Sequence, residues 1–345
     1  MPKELLMAKP ALFGSTLEEL KTVAANLGLP PFAPRQLAEW LYRHRASSFD
    51  EMTNLSKTAR ERLSENYEIG TADPASAAVS KDGTKKYLFS LSGHEVETAW
   101  IPEEKRGTLC VSTQIGCRRG CRFCMTGKQG FQGNLSTGEI LNQYRSLPEV
   151  EKVTHFVFMG MGEPLDNLNA VLPALEILTA NWGFGFSPKK VTVSTIGILE
   201  GLDRLLEASE CRLALSLHSP FPEERAELVP YELSYSAIEV LSFLRRADLR
   251  RRRLTIEYLM IDGVNDSARH SRELARILEG LGSRVNLIPY HPIPGYPGKT
   301  SPPGRVESFR DDLNHRGIIA TVRRSRGLDI DAACGLLTTR RSETD

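Results

Sequence analysis

The chain has 345 residues, and 41% of them are hydrophobic, which is enough for a substantial core and for two domains of ordinary size. Its net charge of +1 excludes a broadly basic surface, so any contact with nucleic acid must be local. The six cysteines, half of them in one short motif, do not resemble the framework of a small secreted disulfide protein. The chain begins with no signal peptide, and no apolar run approaches the roughly 18 residues of a membrane span. We expect a soluble, cytoplasmic protein without membrane association.

Residues 15–67 have the pattern of three short helices. Ser15 and Glu18 form a capping-box pattern at the first of them, and Gly28 with Pro30 ends it. We predict a small N-terminal helical domain over residues 1–72. Its apolar positions are Leu17, Leu20, Ala24 and Leu27, then Leu37, Trp40 and Leu41, then Leu55, Ala59 and Leu63.

After Gly70 the periodicity becomes that of strands. Residues 87–91 and 95–101 are predicted strands, and Asp82-Gly83 and Ser92-Gly93 are turns of the hairpin type. The pattern predicts a short antiparallel β meander over residues 73–107. Its last part, 102–107, is predicted to be a polar linker.

From residue 108 onward, strand patterns alternate with amphipathic helical patterns. Ser136 and Glu139 cap one of these helices, and Pro173 predicts that the next helix kinks or starts later. Sustained alternation implies an α/β fold with a parallel sheet, and six or seven units suit an open or partial barrel. We predict a catalytic barrel over 108–335 and a polar tail over 336–345. The predicted strands are 108–113, 154–159, 190–195, 212–217, 254–260, 284–289 and 318–323.

Three cysteines follow the first strand of the predicted barrel, as Cys117-x3-Cys121-x2-Cys124. Thiolates are the natural ligands of iron–sulfur clusters, whereas structural zinc takes four ligands, and no second cysteine pair lies nearby. Three ligands on a four-iron cluster leave one iron open to a small molecule. Unrelated buried cysteines are the alternative, and their concentration in a loop of Gly and Arg argues against it.

The spacing of these cysteines resembles the signature of the radical S-adenosylmethionine (SAM) enzymes. Six further segments resemble the RlmN/Cfr family of adenine methyltransferases acting on ribosomal RNA, and the resemblance runs from about Leu17 to Gly335. It implies a partial (β/α)6-type radical SAM barrel. The segments are 108–112, 160–165, 193–195, 213–218, 286–289 and 331–335.

The resemblance implies a [4Fe-4S] cluster on the three cysteines, with SAM bound to the fourth iron. SAM would be cleaved to a radical by an electron from the cluster, and two SAM molecules would be used per turnover. The residues that match SAM contacts are Gly162, Glu163, Ser194, Ser216, Leu217, His218 and Asn286. All follow or end predicted strands, which is where ligands bind in parallel sheets.

Three further residues match catalytic positions of the family. Cys334 corresponds to the cysteine that takes a methyl group from SAM, and Cys110 to the one that forms a transient disulfide with it. Glu97 corresponds to the proton acceptor, although Glu95 is an equally good acid on the same strand face. From the residues alone, Cys110 would be a buried strand residue and Cys334 either structural or reactive. Cys211 matches no family role.

The implied reaction is methylation of adenine C2 in 23S rRNA, with tRNA as a second substrate. An external electron donor such as a flavodoxin or ferredoxin would be required, and the chain is expected to be a monomer. The alternatives are a C8-specific rRNA methyltransferase of the same family, a radical SAM activase acting on a protein glycine, and a non-enzymatic electron-transfer protein. Candidate RNA contacts are Arg118, Arg119 and Arg122, the runs 245–246 and 250–253, and Arg323, Arg324 and Arg326.

Overall fold

The computed structural model describes residues 9–91, 93–249 and 252–339. Three helices come first, as the sequence predicts, and their apolar faces are buried. They are α1 (Leu17–Asn26), α2 (Ala33–Ala38), which continues as a π-helical turn over Glu39–His44, and α3 (Lys57–Asn66).

The cap of α1 lies one residue later than predicted. The Thr16 hydroxyl accepts a hydrogen bond from the Glu19 amide (3.3 Å), and the Glu19 carboxylate accepts one from the Thr16 amide (2.7 Å). The predicted pair of Ser15 and Glu18 is therefore wrong. Both pairs fit the capping-box pattern, and packing decides between them, because the Ser15 carbonyl is taken by the Tyr42 hydroxyl (2.5 Å).

The strands follow, and all seven that the sequence predicts between 108 and 323 are present with slightly shifted ends. They are β1 (Ser76–Val79), β2 (Lys85–Leu91), β3 (His94–Glu103), β4 (Arg106–Cys110), β5 (Gln114–Ile115), β6 (Gly133–Asn134), β7 (His155–Phe158), β8 (Val191–Thr195), β9 (Arg212–Ser216), β10 (Leu254–Met260), β11 (Arg284–Pro289) and β12 (Ala320–Val322).

One sheet contains ten of these strands, in the order β1-β2-β3-β4-β7-β8-β9-β10-β11-β12, and β5 pairs with β6 separately. From β4 to β12 all neighbours are parallel, while β1 to β4 are antiparallel. The meander therefore extends the barrel sheet directly. The linker predicted over 102–107 is wrong: Glu103 pairs with Arg106 in a hairpin, where opposite charges face each other across the strands.

Helices separate most of the parallel strands, as expected for β/α units. Within the described ranges, no helix is long and apolar enough to cross a membrane. The capping box of Ser136 and Glu139 is confirmed. The helices are α4 (Met125–Gln129), α5 (Thr137–Arg145), α6 (Leu168–Thr179), α7 (Leu199–Ala208), α8 (Pro222–Leu228), α9 (Ala237–Arg246), α10 (Ala268–Leu278) and α11 (Pro303–His315).

Helix α6 runs through Pro173 and begins well before it, so the expected later start is wrong. Proline removes one intrahelical hydrogen bond, the one that its missing N–H would donate. The helix is held by burial instead, since most of its apolar side chains pack into the core. Packing thus outweighs the local cost of the proline.

The N-terminal helices pack on the barrel through aromatic side chains. Tyr42 is 2% exposed and lies near the rings of Phe13, Trp182 and Phe184, with centroids 5.3–6.0 Å apart. Asn142 on α5 exchanges two hydrogen bonds with the backbone of Ala72 (2.8 and 3.0 Å). The helical region is therefore fixed to the outside of the barrel.

The chain after β12 returns across the sheet and is not the predicted tail. Leu336 and Leu337 are buried, and the Thr338 amide donates a hydrogen bond to the Glu97 carboxylate (2.9 Å). This return segment is residues 323–339; residues 340–345 lie outside the described ranges. The tail prediction failed for residues 336–339 because their partners lie in distant parts of the chain.

One buried ion pair ties the carboxyl ends of two central strands together. The Arg225 guanidinium pairs with Glu232 and donates hydrogen bonds to the carbonyls of Leu217 (2.8 Å), Ile196 (2.8 Å) and Ser216 (3.0 Å). Both charged side chains are almost fully buried, at 1% and 3% exposed. Removing one partner leaves the other as an uncompensated buried charge.

We therefore expect Arg225→Met to lower the free energy of unfolding by about 3–5 kcal/mol. Urea denaturation followed by circular dichroism measures this. Arg310→Met is the matched control, because that side chain pairs with Asp311 at the surface and should change stability by less than about 0.5 kcal/mol. Equal denaturation midpoints for the two variants would contradict the role of this pair.

Candidate active site

The three clustered cysteines lie in the loop between β5 and α4. Gly116 opens this loop with a φ of +72°, and a Cβ there would lie 1.7 Å from the Gly130 carbonyl oxygen, so only glycine fits. The Cys117 amide donates to that same carbonyl (3.1 Å). The loop is therefore held against the end of α4, and we call residues 116–124 the iron-binding loop.

Cys117, Cys121 and Cys124 all line one cavity. Burial raises the pKa of all three thiols, that of Cys117 to about 12, and the charges of neighbouring thiolates raise them further. Thiolates in such a place need cations to hold them, and this donor set fits a cluster with one open iron. No three His, Cys, Asp or Glu side chains of the described residues are arranged around a single ion position.

The same cavity is bounded by the carboxyl ends of the parallel strands. It contains about 1060 Å³ of space, part of it open to solvent, and we call it the iron-side cavity. Five of the seven residues predicted to contact SAM line it: Gly162, Glu163, Ser194, Ser216 and His218.

Gly162 and Glu163 form a tight turn after β7. Gly162 has a φ of +98°, and a Cβ there would lie 2.6 Å from the Gln114 side chain, so glycine is required. The Glu163 carboxylate accepts hydrogen bonds from the amides of Leu165 and Ile196, both at 3.0 Å. Burial raises its pKa to about 7 despite those bonds. Glu163 thus connects this turn to the end of β8.

His218 follows β9 in the left-handed region, with a φ of +62°. Its Nδ1 accepts a hydrogen bond from the Leu259 amide (3.1 Å), and its ring meets the Phe123 ring edge to face at 4.8 Å. Burial lowers its pKa to about 3, so the imidazole is neutral. The neutral imidazole also packs on the iron-binding loop, so it can contact a ligand in the iron-side cavity without adding charge.

Two predicted SAM contacts lie elsewhere. Leu217 is fully buried, and its amide donates to the Glu257 carbonyl (3.0 Å). Asn286 lines a second cavity, which Cys110 and Cys334 also line. There its side-chain amide donates to the Glu257 carboxylate (2.8 Å). Strand-end position alone did not reveal which way these residues face.

Cys110 and Cys334, far apart in the sequence, line that second cavity together. Burial and the charge of Cys334 raise the pKa of Cys110 to about 12. The Arg323 guanidinium hydrogen-bonds to Cys334, and its own pKa is raised, chiefly by the charge of Cys334. Both cysteines are free thiols. The Arg323 guanidinium therefore interacts with the sulfur atoms of both Cys110 and Cys334.

Glu97, rather than Glu95, faces the interior. Glu97 is 7% exposed and pairs with the Lys86 ammonium (2.9 Å), whereas Glu95 is exposed. Burial raises the pKa of Glu97, while Lys86 partly opposes that effect. The Thr338 amide binds the other carboxylate oxygen (2.9 Å). Glu97 is therefore held beside the return segment.

The return segment is hydrogen-bonded to the iron-binding loop and α4. The Met125 amide donates to the Gly335 carbonyl (2.7 Å), and the Thr126 hydroxyl donates to the Leu337 carbonyl (2.6 Å). Gly335 has a φ of +82°. These contacts hold Cys334, the residue directly before Gly335, over the loop.

Three site residues carry no motif that sequence reasoning could use. Arg323 has been assigned to RNA contact, yet it binds Cys334; Glu257 and Lys86 have no predicted role. The only signal for Glu257 is a carboxylate in an otherwise apolar central strand. Such a residue is rarely buried without a partner, which marks it as a candidate for the site.

Several arginines predicted to contact RNA are used within the protein. Arg119 pairs with Asp166 and stacks on Tyr231, and Arg245 donates to the Ile277 carbonyl. Arg252 donates to backbone carbonyls at the end of α7. Arg250 and Arg251 lie outside the described residues.

Two family descriptions match the chain. Residues 111–275 match the radical SAM superfamily, and residues 11–69 match the ribosomal RNA large subunit methyltransferase N-terminal domain. The first range contains the iron-binding loop, and the second contains the three N-terminal helices. The chain thus combines the barrel with the accessory helices that the sequence resemblance implies.

Whole-chain relatives agree with this. A probable dual-specificity RNA methyltransferase RlmN from Bacteroides fragilis is 51% identical over 339 residues, covering 98% of each chain. The dual-specificity RNA methyltransferase RlmN of Alkalilimnicola ehrlichii is 44% identical, covering 93% of this chain and 91% of its own. The crystal structure of a radical SAM methyltransferase from Sphaerobacter thermophilus superposes with a TM-score of 0.88 at 40% identity, over 95% of this chain and 98% of that one. This chain belongs to the RlmN family of radical SAM RNA methyltransferases.

Proposed function

We propose that this chain methylates C2 of an adenine in 23S rRNA and of an adenine in the anticodon loop of tRNA. The observation that carries the proposal is the pairing of Cys110 with Cys334 at Arg323, next to three cysteines that share one cavity. A cluster protein that only transfers electrons needs neither outlying cysteine. An activase acting on a protein glycine needs no RNA methyltransferase N-terminal domain, which residues 11–69 match.

Cys117, Cys121 and Cys124 hold the [4Fe-4S] cluster in this proposal, and the iron-side cavity holds SAM. When bound, cluster and SAM supply the radical and the methyl group, since an aromatic carbon such as C2 is a poor nucleophile. Two SAM molecules serve each turnover, one as methyl donor and one as radical source. The chain's own task is to position both and to keep water away.

The chain binds SAM through the rim of the iron-side cavity. Gly162, Ser194, Ser216 and His218 offer backbone and neutral polar groups there. Glu163 lines the cavity with a carboxylate whose two oxygens already accept backbone amides, so it fixes the shape of the turn as well as presenting negative charge. Leu217 and Asn286 act by holding the strands through Glu257.

Cys334 takes the methyl group as a thioether and presents it to the adenine. Arg323 hydrogen-bonds to Cys334 and holds its sulfur atom in position for this transfer. The Cys110 sulfur then attacks the Cys334 sulfur, so that the S–S bond forms as the bond from Cys334 to the carbon on the base breaks. The electron pair of the broken bond leaves with the base, which takes up a proton, and an external thiol reductant returns the disulfide to two thiols before the next turnover. The elevated pKa of Cys110 keeps this thiol protonated until that step.

Glu97 is the proton acceptor for the C2 hydrogen. Burial already raises its pKa, so the protonated form is less costly here than on the surface. Lys86 keeps the carboxylate ionised between turnovers through its ion pair. Glu95 is exposed, whereas Glu97 is buried next to the return segment that carries Cys334.

The remaining partners are inferred from this chemistry. An external one-electron donor, such as a flavodoxin or ferredoxin, supplies the electron, and the chain works as a monomer in the cytoplasm. Use of both rRNA and tRNA rests on the names of the relatives, which are called dual-specificity RNA methyltransferases.

The test of this function is mass spectrometry of RNA from cells that lack the gene, before and after its reintroduction. We expect 2-methyladenosine to be lost from 23S rRNA and tRNA, and to return with the intact gene. Appearance of 8-methyladenosine instead would establish the C8 alternative. Unchanged 2-methyladenosine in the deletion strain would refute the proposal.

We expect Cys334→Ala to abolish methyl transfer while leaving the cluster absorbance and SAM affinity of the purified protein unchanged, because Cys334 is not one of the three cysteines of the iron-binding loop. Cys211→Ala is the matched control, since that buried cysteine directly precedes β9 and lines neither cavity, and it should retain activity. Loss of cluster absorbance in Cys334→Ala would give this residue a different role.

A second expectation concerns pH. A proton acceptor must be ionised, so activity should fall as the pH drops through the pKa of Glu97. Lys86 lowers that pKa, so Lys86→Met should raise it and move the acidic limb of the pH–rate profile to higher pH. Lys21→Met, which removes a surface lysine of α1, should leave the profile in place. Identical profiles for both variants would exclude Glu97 as the titrating group.

A further inference from the structure

A second cavity occupies the end of the barrel opposite the iron-binding loop. It contains about 2340 Å³ of space, part of it open to solvent, and we call it the basic cavity. It shares Met159, Glu257, Arg323 and Cys334 with the iron-side cavity. The two cavities therefore meet at the reacting cysteine.

Four arginines line this cavity at the amino-terminal ends of parallel strands. Arg106, Arg212 and Arg284 are the first residues of β4, β9 and β11, and Arg253 directly precedes β10. The register places Arg212 beside Arg253, because Leu213 pairs with Leu254, and Arg284 lies two residues further along, beside Thr255. We call these four residues the arginine rim.

Alternation along the strands connects the arginine rim to the reacting groups. Every second residue of a strand faces the same side, so each rim arginine begins a row of inward side chains. At about 3.3 Å per residue, the four residues from Arg106 to Cys110 span roughly 13 Å, and the register across β7 and β8 brings Cys110 into line with Arg212. The rows that line the basic cavity are Arg106-Thr108-Cys110, Arg253-Thr255-Glu257 and Arg284-Asn286-Ile288.

The arginine rim lacks the ion pairs that other arginines of this fold make. Within the described ranges, no carboxylate pairs with the guanidinium of Arg212, Arg253 or Arg284. Burial and the charges of the other three rim arginines lower the pKa of Arg212. Glu103 and Glu104 also line the cavity, and Glu103 faces Arg106 across the hairpin. The excess positive charge therefore lies with Arg212, Arg253 and Arg284, where it is suited to an anion. Guanidinium groups bind phosphate in two-pronged geometry.

We propose that the RNA substrate enters the barrel through the basic cavity and that the arginine rim binds the phosphates flanking the target adenine. The proposal rests on the proposed function, and it adds the route and the contacts. An adenine flipped out of its stack would point along the inward rows to Cys334 and Cys110. The opposite end is a poor route, because the return segment covers the iron-binding loop and Arg119 is committed to Asp166.

The test uses the double variant Arg212→Gln/Arg284→Gln in the full chain with reconstituted cluster. Binding of a tRNA substrate should weaken at least about tenfold at ~0.15 M salt, because two charged contacts are lost. The slope of log Kd against log salt should decrease by about 1.4–1.8, the value for two phosphate contacts. SAM affinity and RNA-independent SAM cleavage should not change.

The matched control is Arg276→Gln/Arg310→Gln, which removes two surface arginines that pair with carboxylates on α10 and α11. Its tRNA affinity and salt slope should equal those of the wild type. Arg212→Lys/Arg284→Lys keeps both charges and should restore the slope, which a purely structural role would not predict. Equal slopes for the Gln variant and the control would overturn the proposal. Failure of the proposed function is a separate result: the wild type would then methylate no RNA.

Two further measurements fix the route and the ligand. A photo-reactive p-benzoylphenylalanine replacing Thr321, an exposed residue of the basic cavity, should crosslink to tRNA, and one replacing Phe131 near the iron-binding loop should not. The reverse pattern would overturn the proposed route. Inorganic phosphate is the probe for a small anion. If it binds the wild type but not the Gln variant, while tRNA affinity is the same for both, the arginine rim serves free phosphate and the proposal fails.

Discussion

The hydrogen bonds between the return segment and the iron-binding loop are the constraint on which the site depends. Gly335, Leu337 and Thr339 each bond to the stretch that directly follows the third cysteine, and Cys334 is thereby fixed above the cavity. The same segment gives Glu97 its second partner through the Thr338 amide. Cys334, Glu97 and the iron-binding loop thus owe their relative positions to one stretch of backbone. Local motifs supply the groups, and this contact brings them together.

Charge balance around the two outlying cysteines depends on a single cation. Cys110, Cys334 and Glu257 are all acids that would become negative in a space with little water, and Arg323 lies against them. Because a buried charge without a partner is costly, the position of this arginine matters for all three groups. It bonds to Cys334, while burial holds the pKa of Cys110 high. In the proposed reaction, this asymmetry gives the first step to Cys334 and the second to Cys110.

The sequence was sufficient wherever the signal was local. The period of apolar residues predicted all seven parallel strands, and the cysteine spacing predicted the loop that lines the iron-side cavity. Prediction failed where a residue's surroundings come from distant parts of the chain. Residues 102–107 look like a polar linker because their charges are satisfied across a hairpin, and 336–339 look like a tail because their partners are α4 and Glu97. Asn286 ends in the basic cavity for a similar reason, since alternation sets its face and Glu257 on the next strand binds it.

The two ends of the parallel sheet have different roles in the proposed function. In closed barrels of alternating strands and helices, ligands bind at the carboxyl ends, and the amino ends serve stability. Here the iron-binding loop and the return segment occupy the carboxyl end of the sheet, and in the proposed function this end holds the cofactor. A macromolecular substrate must then reach Cys334 from another direction. Among the described residues, no carboxylate forms an ion pair with Arg212, Arg253 or Arg284 at the amino end, so their presence is better explained by binding than by folding. A sheet that stays open between β1 and β12 makes such a division possible, because its interior can be approached without passing the cofactor.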